Sequence, residues 1–240
     1  MRERMVKQRL LNLYRHLFHH FGPQGWWPGT SRLEVIVGAI LTQNTAWTNV
    51  EKALRNLKAK RCLSVKGLTS LPLEALAALV KPSGYYSIKA KRLKAFLNFL
   101  QERYGGSLDR MFRQEPSKLR EELLAIPGIG QETADSILLY AGGFPTFVVD
   151  AYTKRVLARH GLAGEKATYR EVQELFLKHL PRRVSLFNEY HALFVAVGKH
   201  FCRKKPLCGK CPLRSDLDRY GRSTPGPPER KRQKLQIRLR

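Results

Sequence analysis

Apolar residues recur at intervals of three and four along most of this chain, the period of helices with one buried face. In the stretch "LEVIVGAILTQNTAWTNVEKALRNLKAK", Val37, Leu41, Val50, Leu54 and Leu57 fall on such a face. The same spacing predicts helices over roughly 4–21, 73–80, 89–104, 117–125, 131–141, 151–160, 168–179 and 185–200. Gly, Pro and Ser punctuate the pattern at "GPQGWWPGTS", "KPSGYY", "YGGS", "PGIG" and "GGFP". The alternation of a half-buried strand is scarce. The expected fold is therefore all-α, with about nine or ten helices. Its 240 residues suffice for one large domain or two small lobes sharing a cleft. From Arg214 onward the chain turns polar and basic, and residues 218–240 read as a flexible tail.

Charge sharpens this picture. Lys and Arg number 44 against 19 acids, a formal net charge of +25. Such an excess calls for a polyanionic partner, nucleic acid first and an anionic membrane second. No apolar run is as long as a bilayer span. The opening segment "MRERMVKQRLLNLYRHLFHHF" interrupts its apolar residues with Arg, Lys and His, unlike a signal peptide. The expected location is cytoplasmic, with the nucleoid. Four Cys are present, and Cys202, Cys208 and Cys211 crowd into ten residues. That spacing points to a metal site, not a disulfide scaffold.

Two motifs carry the chemistry. "LREELLAIPGIGQETADSILLYA" reads as helix, tight turn, helix, in which Gly128 and Gly130 permit unusual backbone geometry. Helix N-termini that face outward on a basic protein suit phosphate. Further on, "GGFPTFVVDAYTKR" places one acid, Asp150, after three apolar residues and before a helix. Asp150 can be a helix N-cap, a catalytic carboxylate beside a cleft, or both.

These segments resemble the helix-hairpin-helix DNA glycosylases of the endonuclease III superfamily. "IPGIGQETA" is similar to the family hairpin and "PTFVVDAYTKR" to the segment with its essential aspartate. The likeness extends through "LTQNTAWTNVEKAL" and "GYYSIKAKRL" into the Cys cluster, over about residues 10–217, with the hairpin near 118–141 and the Cys loop at 202–217. It implies a two-lobed glycosylase acting as a monomer on double-stranded DNA with a damaged base, and Asp150 as the carboxylate that stabilises the cationic sugar or orients water. Bifunctional members open the second hairpin helix with a nucleophilic lysine. Here Gln131 and Glu132 stand there, and Lys154 and Lys199 lie elsewhere, which implies a monofunctional enzyme.

"GWWPG" and "QNTAW" supply Trp26, Trp27 and Trp47 and resemble the 3-methyladenine DNA glycosylase branch, whose aromatic rings sandwich the flipped base. A purine alkylated at N3 or N7 is cationic, and an indole face binds cations. The alternative reading of all three Trp is core packing. At the DNA surface, Tyr85 stands at the family's intercalating loop, Gln43 could fill the hole left by the base, and Gly128, Ile129 and Gly130 form the hairpin turn. The rival functions are a glycosylase for mismatched thymine or uracil or for oxidised pyrimidines, and a DNA-binding protein without catalysis.

The family's iron–sulfur loop has four Cys; here the fourth position is Leu217. A [4Fe–4S] cluster on Cys202, Cys208 and Cys211 is the expected cofactor, completed by Asp216, Asp218 or Cys62. Zinc and a lost cluster are the alternatives.

Overall fold

The computed structural model describes residues 2–221, and among them it contains α-helices, short 3-10 and π turns, and no strand. The thirteen α-helices exceed the nine or ten that periodicity predicts, because several are too short to show a period. They are α1 (Arg2–Phe21), α2 (Arg32–Leu41), α3 (Trp47–Ala59), α4 (Val65–Ser70), α5 (Leu73–Leu79), α6 (Tyr86–Tyr104), α7 (Leu108–Met111), α8 (Pro116–Leu124), α9 (Gln131–Ser136), α10 (Ala151–Arg159), α11 (Tyr169–His179), α12 (Val184–His200) and α13 (Arg214–Tyr220).

Side-chain caps set many of the starts. Ser31, Ser64 and Ser107 each accept a hydrogen bond from the backbone three residues on, opening α2, α4 and α7. Thr168 and Glu171 form a reciprocal capping box at α11. The long apolar run 33–60 is cut into α2 and α3 by "TQNTA". Thr42 turns its hydroxyl back on the Gly38 carbonyl at 2.7 Å, and Asn44 takes a φ of +55°. The five apolar residues expected on one face of that run are nonetheless all buried.

Burial falls into two cores. One is built from α2 to α9, centred on Ile36, Ile40, Leu54, Phe96 and Leu119. The other joins α1 to α10, α11 and α12 around Leu13, Phe147, Phe176, Tyr190 and Phe194. The first helix thus crosses to the C-terminal half, where the Tyr190 hydroxyl donates to the Leu10 carbonyl at 2.8 Å. Two lobes result, as expected. They meet at a π turn, Ile137–Ala141, that continues α9; its Tyr140 packs against both cores.

The expected tail is partly corrected. The helix α13 runs to Tyr220, past residue 218, where the tail was expected to start. Arg9 of α1 is the reason: its guanidinium lies 4.1 Å over the Tyr220 ring and pairs with Asp216. The rest of the basic segment lies outside the described residues.

Candidate active site

Asp150 sits where the sequence leads the eye, and the apolar residues before it explain how it is held. Phe147, Val148 and Val149 are buried in the second core, with the Phe147 ring stacked on Phe176 at 3.7 Å. This anchored segment delivers Asp150 to the first turn of α10. Its Oδ1 accepts from the Thr153 amide at 2.7 Å, so it is the N-cap. Its Oδ2 makes no hydrogen bond, and the nearest cationic or potentially cationic group is Nε2 of His191, 3.8 Å away. Cap and half-free carboxylate coexist in one buried residue, 8% exposed.

Two residues that sequence reasoning missed complete the floor. His191, on α12, is buried, and its Nδ1 lies 2.5 Å from the Tyr140 hydroxyl. Burial pushes the imidazole below its usual range against the pull of Asp150. Burial also raises the Tyr140 phenol well above its ordinary value, with the Asp150 charge adding to the effect. Both side chains are therefore neutral at pH 7. The only sequence signal for His191 was a polar residue on an apolar helix face, which more often marks a satisfied core histidine.

Trp26, Trp27 and Trp47 come together next to Tyr140. Their ring centroids are 5.1–5.6 Å apart, and Trp27 lies 5.1 Å from the Tyr140 ring. All three are half-buried, and Trp27 and Trp47 also pack against the first core. Gly38 of α2 makes room: a Cβ there would sit 3.2 Å from the Trp27 indole. Trp47 is fixed by its indole N–H donating to Glu51 at 2.9 Å. The Trp27 indole N–H and His191 Nε2 are buried with no partner among the described residues. Unpaired buried polar atoms of this kind are where a ligand can form hydrogen bonds.

Glu132 opens α9 beside Asp150. It is exposed to solvent, yet the protein packed around it, with the Asp150 charge second, pushes its carboxyl up to about 7. Lys154 donates to the Ala167 carbonyl at 3.2 Å, and Lys199 is exposed at the end of α12.

The residues expected at DNA are arranged around the start of α6. Tyr85 is 65% exposed and holds a left-handed backbone with φ +46°. Gln43 is not a free probe, as a hole-filling role suggests. Its amide donates to the Gly128 carbonyl at 3.0 Å and to Thr133 at 2.9 Å, and Arg92 donates to its oxygen. Buried Lys89 donates to the carbonyls of Leu41 at 2.9 Å and Ser83 at 2.6 Å, and burial lowers its pKa to about 8. One helix start therefore ties together the Gln43 loop, the Tyr85 loop and the hairpin. In the hairpin, Gly128 adopts φ +86° with Arg92 packed against it, so only glycine suits the position. Gly130 caps α9 in extended backbone. The Ile129 side chain is buried, and its amide donates within the turn to the Ile126 carbonyl at 3.0 Å.

The Cys loop is a second, separate feature. Cys202, Cys208, Cys211 and Leu217 line one cavity with Phe201 and Leu213. The proposed fourth ligands are all engaged elsewhere. Asp216 receives a bidentate bond from Arg9 at 2.9 and 3.1 Å and meets His160 at 2.7 Å. Asp218 pairs with Arg214, and Cys62 is buried in the other core with its thiol on the Leu57 carbonyl. The donor set is thus three thiols, with the apolar Leu217 on the same cavity, one ligand short of the four-thiolate set. Among the described residues no group of three His, Cys, Asp or Glu is placed to hold a metal ion. Arg159 supports the loop by donating to the Cys202 sulfur at 3.1 Å and to the Arg203 carbonyl at 2.8 Å.

Comparison with known proteins agrees with this geometry. The family described as "HhH-GPD superfamily base excision DNA repair protein" matches residues 37–182, more than half of the chain. The chain is 47% identical over 209 residues to the "Putative DNA repair glycosylase MJ1434" of Methanocaldococcus jannaschii, covering 86% of this chain and 94% of that protein. It is 31% identical over 198 residues to endonuclease III of Thermotoga maritima, covering 82% and 87%. Among solved structures, the H. pylori 3-methyladenine DNA glycosylase bound to 1,N6-ethenoadenine superposes with a TM-score of 0.69 at 30% identity, covering 82% of this chain and 97% of that one. No described helix is long and apolar enough to cross a membrane.

Proposed function

Because the chain belongs to the HhH-GPD superfamily of base excision DNA repair proteins and is a DNA glycosylase of that family, we propose that it is a monofunctional enzyme for alkylated purines such as 3-methyladenine. One observation carries the reading: a cluster of three tryptophans is joined, through Tyr140 and His191, to a carboxylate with one oxygen left free. The H. pylori relative, named for 3-methyladenine and bound to an ethenoadenine, supports the same substrate class.

The chemistry follows from these groups. A base flipped against the tryptophans stacks on indole faces, and a cationic purine gains further from their π electrons. The bond from C1′ to the base nitrogen breaks with its electron pair leaving on the base. A purine already bearing a positive charge departs neutral and needs little protonation. The sugar is left oxocarbenium-like, and the free Asp150 oxygen stabilises that charge at short range. Water adds at C1′ and loses a proton, leaving an abasic site. No amine stands at the start of α9, where Glu132 cannot form a Schiff base. Lys and Arg supply the phosphate contacts, and Tyr85 is the exposed wedge.

For the Cys loop, Cys202, Cys208 and Cys211 would hold an iron–sulfur cluster through three thiolates, with Leu217 leaving the fourth corner without a protein ligand. Its contribution would be to brace a basic loop against DNA, and no catalytic step passes through it. Iron analysis of anaerobically purified protein decides between this cluster and a metal-free loop already stapled by Arg9 and Arg159.

The test of the function is a panel of duplexes carrying an alkylated purine, a T·G or U·G mismatch, or an oxidised pyrimidine. Cleavage only after alkali, only with the alkylated purine, and without a borohydride-trapped adduct is expected. A trapped adduct or preference for an oxidised pyrimidine overturns the reading.

A further inference from the structure

We infer that His191 is the positioning residue of this active site: Tyr140 fixes its tautomer so that Nε2–H faces the free oxygen of Asp150 and holds that oxygen turned toward the reacting sugar. The inference deepens the role given to Asp150 above and rests on it.

The argument begins with an imbalance. Nδ1 of His191 is used by Tyr140 at 2.5 Å, whereas Nε2 is buried with no partner. A buried, unpaired ring nitrogen is costly unless some state of the molecule satisfies it. Among the described residues, the one acidic group within 4 Å of it is Asp150, whose Oδ2 lies 3.8 Å away and makes no hydrogen bond either. That separation is too long for a direct bond in the free protein. Catalytic contacts are commonly long before substrate binds and close in the complex.

The tautomer follows from donor and acceptor roles. A carboxylate only accepts, so two bare lone pairs would face each other if Nε2 lacked its proton. The proton therefore sits on Nε2, which leaves Nδ1 bare. A bare Nδ1 accepts, and the Tyr140 phenol, kept protonated by burial, donates to it. The order of donation is Tyr140 to His191 to Asp150. Thr153 holds Oδ1 through the cap, and His191 faces Oδ2, so the two oxygens of Asp150 are oriented from two sides. Tyr140 touches Trp27 as well, so a base that shifts the indoles acts on the same chain of bonds.

Two measurements test this. The first is the long-range 1H–15N spectrum of free protein near pH 7, with His191 assigned by comparison with the His191→Gln variant. A neutral ring with its proton on Nε2 is expected, shifting toward the other tautomer in Tyr140→Phe. A proton on Nδ1 alone, or a doubly protonated ring, overturns the inference. This readout needs no DNA, so it stands apart from whether alkylated purine is the substrate. The second compares His191→Leu and His191→Gln in single-turnover base release. Leucine should lower the rate roughly ten- to a hundredfold with DNA affinity unchanged. Glutamine carries an N–H near the position of Nε2–H and should recover most of that loss. Equal losses in both variants, or no loss in either, would show that His191 only fills space.

Discussion

Two buried aspartates, fifteen residues apart, meet opposite fates. Asp135 on α9 is fully enclosed, and both of its oxygens are saturated. Arg120 grips it bidentately at 2.8 and 3.0 Å, Gln173 donates at 2.9 Å, and Thr146 donates at 3.3 Å. It ties α8, α9 and α11 to the segment that leads to the active site. Asp150 ends that same segment with one oxygen capped and one free. A carboxylate whose hydrogen-bonding capacity is used up can only hold structure. One with an unused oxygen is available to a developing positive charge.

The contrast predicts opposite phenotypes from the same substitution. Asp150→Asn keeps the cap, because an amide oxygen still accepts from Thr153. Base release should fall by at least about a hundred- to a thousandfold, while the melting midpoint barely moves and DNA binding is retained or tightened. Release near the wild-type rate would reduce Asp150 to a cap. Asp135→Asn should do the reverse. It leaves Arg120 without its countercharge, and since Arg120 remains 28% exposed, the cost is about 3 kcal/mol, the low end for breaking a buried pair. The midpoint should drop by roughly 10 °C in thermal unfolding, with the rate per folded molecule unchanged.

The tryptophan cluster can be separated from both acids. Trp47→Ala should reduce excision of a cationic purine about ten- to a hundredfold, measured against binding to undamaged duplex, which depends on Lys and Arg and should stay constant. Equal losses in both assays would place Trp47 in the core. A smaller effect concerns Glu132. Its folded pKa is raised to about 7, above its unfolded value, so the folded state binds the extra proton. Stability therefore falls as pH rises from about 4.5 to 7, and the deficit persists above that window. Glu132→Gln should melt higher than wild type at pH 8 and the same at pH 4, by a modest margin because water reaches the carboxylate. A variant that melts lower at pH 8 would show that the Glu132 charge is stabilised.

Much of this could be read along the chain, and the failures have physical causes. Long amphipathic helices such as α6 and α12 show their period directly, whereas α4, α7 and α13 are four to seven residues long and complete barely one or two turns. Asp150 was legible because an acid after three apolar residues is rare and local. Asp135 was equally local, but nothing in "ETADS" shows that Arg120 and Gln173 will close over it. Lys89 is one of several basic residues in "KAKRLK", yet it is 1% exposed because the end of α2 and the turn at Ser83 place carbonyls around it. His191 and Tyr140 are 51 residues apart, and their pairing exists only after the two lobes meet.

The most direct test of the central claim is to incubate the protein with methylated duplex DNA and identify what is released by mass spectrometry. The account predicts free 3-methyladenine or a related cationic purine, an intact strand bearing abasic sites, and neither product from Asp150→Asn. Release of no alkylated purine, or release by Asp150→Asn at the wild-type rate, would contradict it.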